Sequence, residues 1–178
     1  MKKNIIKLGI VLGILLIAVL WIMGVIPPDS RSYHHTVTKS TDLSNENVDG
    51  LYLGDRFNSE KVISKYGEMH IKSSDVDDYD YYCLSKNIEV ATKKDDYNIV
   101  RFCVNNETLK TKMKTEKGVS FGDSKEKVIK LYGENYYNRI EQGLDIIGYV
   151  DKEQDCSIEF WLSEEGVCYI RLDYNYMI

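Results

Sequence analysis

"GVSFGDSKEKVIKLYGE", residues 118–134, repeats a phrase already present at residues 50–68 as "GLYLGDRFNSEKVISKYGE". Aligned on Glu60 and Glu126, EKVISKYGE and EKVIKLYGE agree at seven of nine positions. Each is preceded by Gly-Asp, as Gly54-Asp55 and Gly122-Asp123, with two extra residues in the first copy. The match resumes downstream, where IEVATKKDDYNIVRFCV from Ile88 aligns without a gap on IEFWLSEEGVCYIRLDY from Ile158. Two blocks recurring at offsets of 66 and 70 residues indicate a duplicated unit.

Each copy has a physical reading. In the second, Asp123 is placed to cap a helix, with Glu126 at capping-box spacing. Val128, Leu131 and Tyr132 make one apolar face, and Gly133 stands where a left-handed residue ends a helix. Val62, Ile63, Tyr66 and Gly67 reproduce this in the first copy. Helices this short do not persist alone in water, so they need a surface to pack on. Ile158, Phe160 and Leu162 alternate with Glu159 and Trp161, and SEEG supplies a turn. Cys168, Ile170 and Leu172 then alternate with Tyr169, Arg171 and Asp173, which reads as a hairpin with one buried and one solvated face. Ile88, Val90 and Thr92, followed by Val100, Phe102 and Val104, give the same hairpin in the first copy. Further strands are expected over 79–84 and 144–150.

The expected fold class is therefore α+β: two tandem repeats, each of short helices packed on an antiparallel β-sheet, at 49–108 and 118–178. Residues 109–117 connect them, with Lys110, Lys112 and Lys114 spaced to discourage strand pairing. A unit of about 60 residues buries only about 60% of its unfolded surface, so two copies should share a core or extend one sheet.

The doubled pattern of Gly-Asp, cap, Val, apolar residue and Tyr-Gly heading a small antiparallel sheet resembles the β-lactamase inhibitory protein (BLIP) family. A single copy resembles the SmpA/OmlA type of outer-membrane assembly lipoprotein. The motif residues are Gly54, Asp55, Val62 and Gly67, then Gly122, Asp123, Val128 and Gly133, and the resemblance covers residues 50–178. It implies tandem modules whose two sheets form a concave face, and a protein partner such as an exported enzyme to be inhibited or regulated. No contact residue carries over, because the motif positions are caps, turns and core.

The first 26 residues differ in kind. Lys2, Lys3 and Lys7 precede a stretch from Leu8 to Ile26 without a charge. At about 1.5 Å per helical residue that stretch spans roughly 28 Å, close to a hydrocarbon core of about 30 Å. The expectation is a cytoplasmic n-region at 1–7, a single transmembrane anchor at 8–26 and a flexible tether at 27–48 beginning with Pro27-Pro28. A cleaved signal peptide is the alternative, but the apolar run is long and lacks a small-x-small cleavage site. Either reading places the remainder outside the cytoplasm. The 23 Lys and Arg include those three lysines, so beyond residue 26 the 28 Asp and Glu outnumber basic residues by eight. That sign argues against nucleic acid as a partner.

Chemistry is sparse. Three histidines, two of them at His34-His35, and no nucleophile or phosphate-loop motif argue against an enzyme. Cys83, Cys103, Cys156 and Cys168 allow three disulfide pairings, and an exported location favours at least one bridge. Asp75, Asp77 and Asp80 offer calcium oxygens but lack the glycine and terminal glutamate of an EF-hand. No cofactor and no metal are expected. The alternating pattern sets Trp161, Tyr169, Arg171 and Arg101 on the sheet face opposite the helices, together with Ile99 and Cys103. Trp, Tyr and Arg are enriched at binding hot spots, so this face is the expected protein-binding surface. The expected function is a non-catalytic protein-binding module, with an accessory of envelope assembly or a toxin-immunity protein as alternatives.

Overall fold

The computed structural model describes residues 30–67, 70–74, 78–85, 87–94, 96–106 and 113–177. They fall into two units, one ending at Val37 and the other beginning at Thr38. In the first, Ser30 Oγ accepts the Tyr33 N–H at 3.2 Å and starts a seven-residue helix, α1 (Arg31–Val37). The second unit contains α2 (Glu60–Tyr66), β1 (His70–Ser74), β2 (Tyr79–Ser85), β3 (Ile88–Lys93) and β4 (Ile99–Asn105). These are followed by α3 (Lys125–Tyr132), β5 (Tyr137–Glu141), β6 (Leu144–Asp151), β7 (Cys156–Ser163), β8 (Gly166–Tyr174) and a closing 3₁₀ turn, Asn175–Met177.

All eight strands pair antiparallel in one sheet, in the order β1-β2-β3-β4-β8-β7-β6-β5. This corrects the expected architecture of two helix-on-sheet repeats with their own sheets. The strand that ends each meander, β4 and β8, pairs with the other, from Arg101↔Asp173 to Asn105↔Tyr169. Neither half has enough apolar surface to close a core by itself, and joining the sheets removes two edges at once. Each half contributes one helix of seven or eight residues, and α1 lies in the other unit. No helix among the described residues is long and apolar enough to cross a membrane. The expected span at 8–26 lies outside the described residues.

The expected tether is corrected in its second half. Leu43 and Val48 are buried, the Thr41 N–H donates to Val150 O at 2.8 Å, and the Leu43 N–H donates to Asp151 Oδ2 at 2.8 Å. Two apolar residues in a polar stretch suffice to pull it onto the core. Met113 and Thr115 of the expected connector are buried too, with Thr115 bridged to Val48. Residues 107–112 of that connector, and Asp75 and Asp77, lie outside the described residues.

The repeated phrase is repeated in geometry. The Asp55 N–H donates to Tyr52 O and the Asp123 N–H to Ser120 O, both at 3.2 Å, so each Gly-Asp closes a turn. Each aspartate then accepts the first residue's N–H, Tyr52 on Asp55 Oδ2 at 3.1 Å and Ser120 on Asp123 Oδ2 at 2.7 Å. The turns dock on equivalent strands. The Gly54 N–H donates to Ile99 O and the Ile99 N–H to Asp55 O, just as Gly122 donates to Val167 and Val167 to Asp123. The second docking leaves no room for a side chain: a Cβ on Gly166 would lie 2.6 Å from Gly122 O. The aspartates are thus turn residues, and the helix caps are Ser59 and Ser124, whose side chains accept from Val62 N and Lys127 N. Gly67 and Gly133, at φ of 86° and 92°, end the helices by donating to Ile63 O and Ile129 O.

Val62 and Val128 carry the helices onto one sheet face, where Val90, Phe102, Val104, Ile158, Phe160 and Ile170 are buried. Consecutive Ala91 and Thr92 of β3 pair with Arg101 and Ile99, so Val100 is the extra residue of a β-bulge on β4, which shifts the parity of that strand. Ile99 therefore joins this core, while Val100 packs with Ala91 and Met177 on the opposite side. At the seam, Arg101 reaches Asp173 Oδ2 with Nε and Nη2, both at 2.9 Å, and Asp173 is fully buried. Asp173→Asn is expected to lower unfolding free energy by about 3 kcal/mol, as for other buried pairs stripped of one charge. Denaturant unfolding measures this, and Arg101→Met with Asp173→Leu should recover much of the loss.

Candidate functional site

The expected binding face is built, but its charges are spent inside the sheet. Register places Tyr137, Gly148, Glu159, Arg171, Cys103 and Glu89 in one row across six strands. Glu159 is fully buried. Its Oε1 accepts the Tyr137 hydroxyl at 2.6 Å and Arg139 Nε at 2.9 Å, while Oε2 accepts Arg139 Nη2 at 3.0 Å and Arg171 Nη2. Arg171 lies 5.7 Å from the Trp161 ring centre, and Trp161 and Tyr169 meet at 5.0 Å. Trp161 is only 7% exposed, and the side chains of Arg171 and Arg101 are 13% and 17% exposed. The structure therefore brings Trp161, Tyr169 and Arg171 together as expected, sets Arg101 at the seam beside them, and engages both arginines with buried carboxylates.

Glycine at 148 is what lets this cluster close. The Tyr137 ring lies across Gly148, so close that an added Cβ would stand 2.2 Å from its Cζ. Gly148→Ala must push the ring away and take its hydroxyl off Glu159. We expect a loss of about 1–3 kcal/mol, in the range of overpacked cores, read by thermal unfolding.

A different surface stands open. Among the described residues Tyr52, Tyr97 and Tyr176 are 40%, 44% and 46% exposed. Each carries a cation over its ring: Lys61 at 5.5 Å from Tyr52, Arg56 at 5.4 Å from Tyr97 and Lys93 at 4.7 Å from Tyr176. Tyr174 stacks on Tyr176 at 5.3 Å and, with Tyr52, walls a pocket of about 130 Å³. Leu43, Leu53, Leu172 and buried Cys156 give that pocket an apolar lining, while Ser44, Glu46 and Gln154 add polar atoms. Ser44 and Gln154 also line a second, larger pocket of about 420 Å³, with Ser40, Asp42, Asp151 and Glu153. Sequence reasoning missed this surface because Tyr52 and Tyr174 lie far apart in the chain, and the 38–48 segment was expected as a tether. The one signal present was the excess of tyrosine, fourteen in the chain.

Glu46 sits at the wall of the smaller pocket and is 6% exposed. Its Oε1 accepts the Glu116 N–H at 3.1 Å and the Asn47 N–H at 3.2 Å. Neither its Oε2 nor the nearby Tyr132 hydroxyl meets hydrogen-bond geometry with any partner. Burial pushes the Glu46 carboxyl above the usual carboxylate range, against the lowering influence of Tyr132, of the two N–H groups and of Lys117. A carboxyl with a raised folded-state pKa stabilises the fold most below its unfolded pKa, and that contribution is lost as pH rises through the folded value. Glu46→Gln should therefore be at least as stable as the parent at pH 7. Its advantage should shrink as pH falls toward 4.5, which Tm measured against pH will show.

All four cysteines are free, so the expected disulfide does not form. Cys83 and Cys103 both pair in register with Glu89, one on each side, which separates them by two strand spacings, about 10 Å. That exceeds the reach of a disulfide. Burial raises the Cys103 thiol to about 11 and the Cys156 thiol to about 12, with nearby carboxylates adding to the second. No group of three or more His, Cys, Asp or Glu side chains among the described residues is arranged to hold a metal ion.

Fold and surface together define a single-sheet α+β domain with a tyrosine-rimmed pocket. No protein-family model matches the chain, and no curated protein or solved structure shows significant similarity to it. None of these comparisons bears on the resemblance to BLIP.

Proposed function

We propose that the chain is a non-catalytic module that binds a protein partner through the surface around Tyr52, Tyr97 and Tyr176. The observation that carries this reading is the set of exposed tyrosines, each held under a cation, with Tyr52 walling a pocket of apolar lining and Tyr176 stacked on its other wall, Tyr174. Tyrosine offers large contact area at low conformational cost and keeps a hydroxyl for hydrogen bonding. A cation over the ring fixes its orientation before a partner arrives, which lowers the entropy lost on binding. The protonated, buried thiols of Cys103 and Cys156 favour binding over catalysis, because a nucleophilic cysteine needs a lowered pKa. An exported enzyme is the partner class that the resemblance implies.

The test is affinity capture from exported and envelope fractions with the full chain as bait, followed by titration of the purified partner. A stoichiometric complex weakened at least tenfold by Tyr52→Ala, Tyr97→Ala and Tyr176→Ala together, and left intact by Trp161→Phe, supports the proposal. A complex indifferent to the three tyrosine substitutions refutes it.

A further inference from the structure

The pocket beside those tyrosines has a chemistry of its own, and the inference drawn from it rests on the protein-binding reading above. Its volume of about 130 Å³ equals roughly four water volumes at ~30 Å³ each. Tyr52 and Tyr174 stand at its sides, and Leu43, Leu53 and Leu172 line it, so most of what enters must be apolar. The adjoining pocket is acidic. Asp42 and Glu153 are exposed there, and Asp151 is buried with both oxygens committed to the N–H groups of Leu43, Glu153 and Gln154. Asp42 is held below the usual carboxylate range, chiefly by the Ser44 N–H and hydroxyl. Glu46, buried at the wall of the apolar pocket with the Tyr132 hydroxyl beside its carboxyl, adds a further acidic group. One cation is already near: Lys117 Nζ donates to the Asp42 carbonyl at 2.8 Å and lies 5.0 Å from the Tyr132 ring centre.

An apolar slot with aromatic sides, opening on carboxylates, fits a cation carried on a hydrocarbon stem. We propose that this pair of pockets receives a lysine side chain of the partner protein, its four-carbon stem lying along Tyr52 and Tyr174 and its ammonium reaching the Asp42–Glu153 end. Lysine suits such a slot because its stem packs while its compact charge stays at the polar mouth. The net charge of −5 of the whole chain favours the approach of a basic surface.

The experiment titrates the full chain with Nα-acetyl-lysine methylamide and with its uncharged counterpart Nα-acetyl-norleucine methylamide, followed by NMR. Saturable lysine binding at least tenfold tighter than norleucine is expected, weakened by added salt and reduced at least fivefold by Tyr52→Ala and by Glu153→Gln. Equal affinity for the two probes shows an apolar pocket without cation recognition and overturns the inference, as does the absence of saturable lysine binding. A partner captured through the three tyrosines while the lysine probe fails leaves the protein-binding reading standing and removes only this one. Probe binding together with tyrosine-independent capture does the reverse.

Discussion

The pairing of β4 with β8 is the contact on which the rest of the domain depends. It joins two four-stranded meanders into one sheet, and it is made where a fully buried carboxylate, Asp173, meets Arg101 across the strands. Among the described residues each meander has one short helix to cover it. Backbone ladder bonds and a shared apolar face on the helix side supply what neither half could supply alone. An ion pair in that place adds little net stability over apolar packing, but it penalises any other register, since a slip would bury both charges without partners.

Much of the local structure was legible because its signals are short-range. Gly67 and Gly133 mark helix ends, and the alternation in 158–162 and 168–172 marks β7 and β8. What failed needed information from distant parts of the chain. Asp123 looked like a cap by spacing, yet it closes a turn that docks on Val167, leaving the capping to Ser124. The two-residue insertion in the first copy conceals the same arrangement at Asp55 and Ser59. Ile99 and Val100 exchanged sides because a bulge at Val100 is invisible to a count of alternation. Residues 38–48 read as tether because polar residues dominate them, although Leu43 and Val48 are enough to anchor the segment.

The candidate site shows the same division. Parity set Trp161, Tyr169 and Arg171 on one face and they do gather, although Ile99, grouped with them, does not. Composition alone could not show that Glu159, two positions from Trp161, would accept from both Arg139 and Arg171 and turn a charged surface inward. The open tyrosines come from three separate places: the turn before α2, the β3–β4 connection and the C-terminal 3₁₀ turn. Tyr52 and, through its stacking on Tyr174, Tyr176 come to one pocket only through the order of strands.

Glu159 also shapes how this chain can change over generations. It holds Arg139 from one side and Arg171 from the other, with Tyr137 above a glycine that admits no side chain. Loss of either arginine leaves the buried Glu159 carboxylate short of a cation, and loss of Glu159 leaves both arginines short of an anion. Drift at these four positions and at Gly148 is therefore tied together, and descendants that alter one should carry compensating replacements at the others. Surrounding surface positions stay free to vary singly, so the cluster would stand out in a set of related sequences as a small block inherited whole.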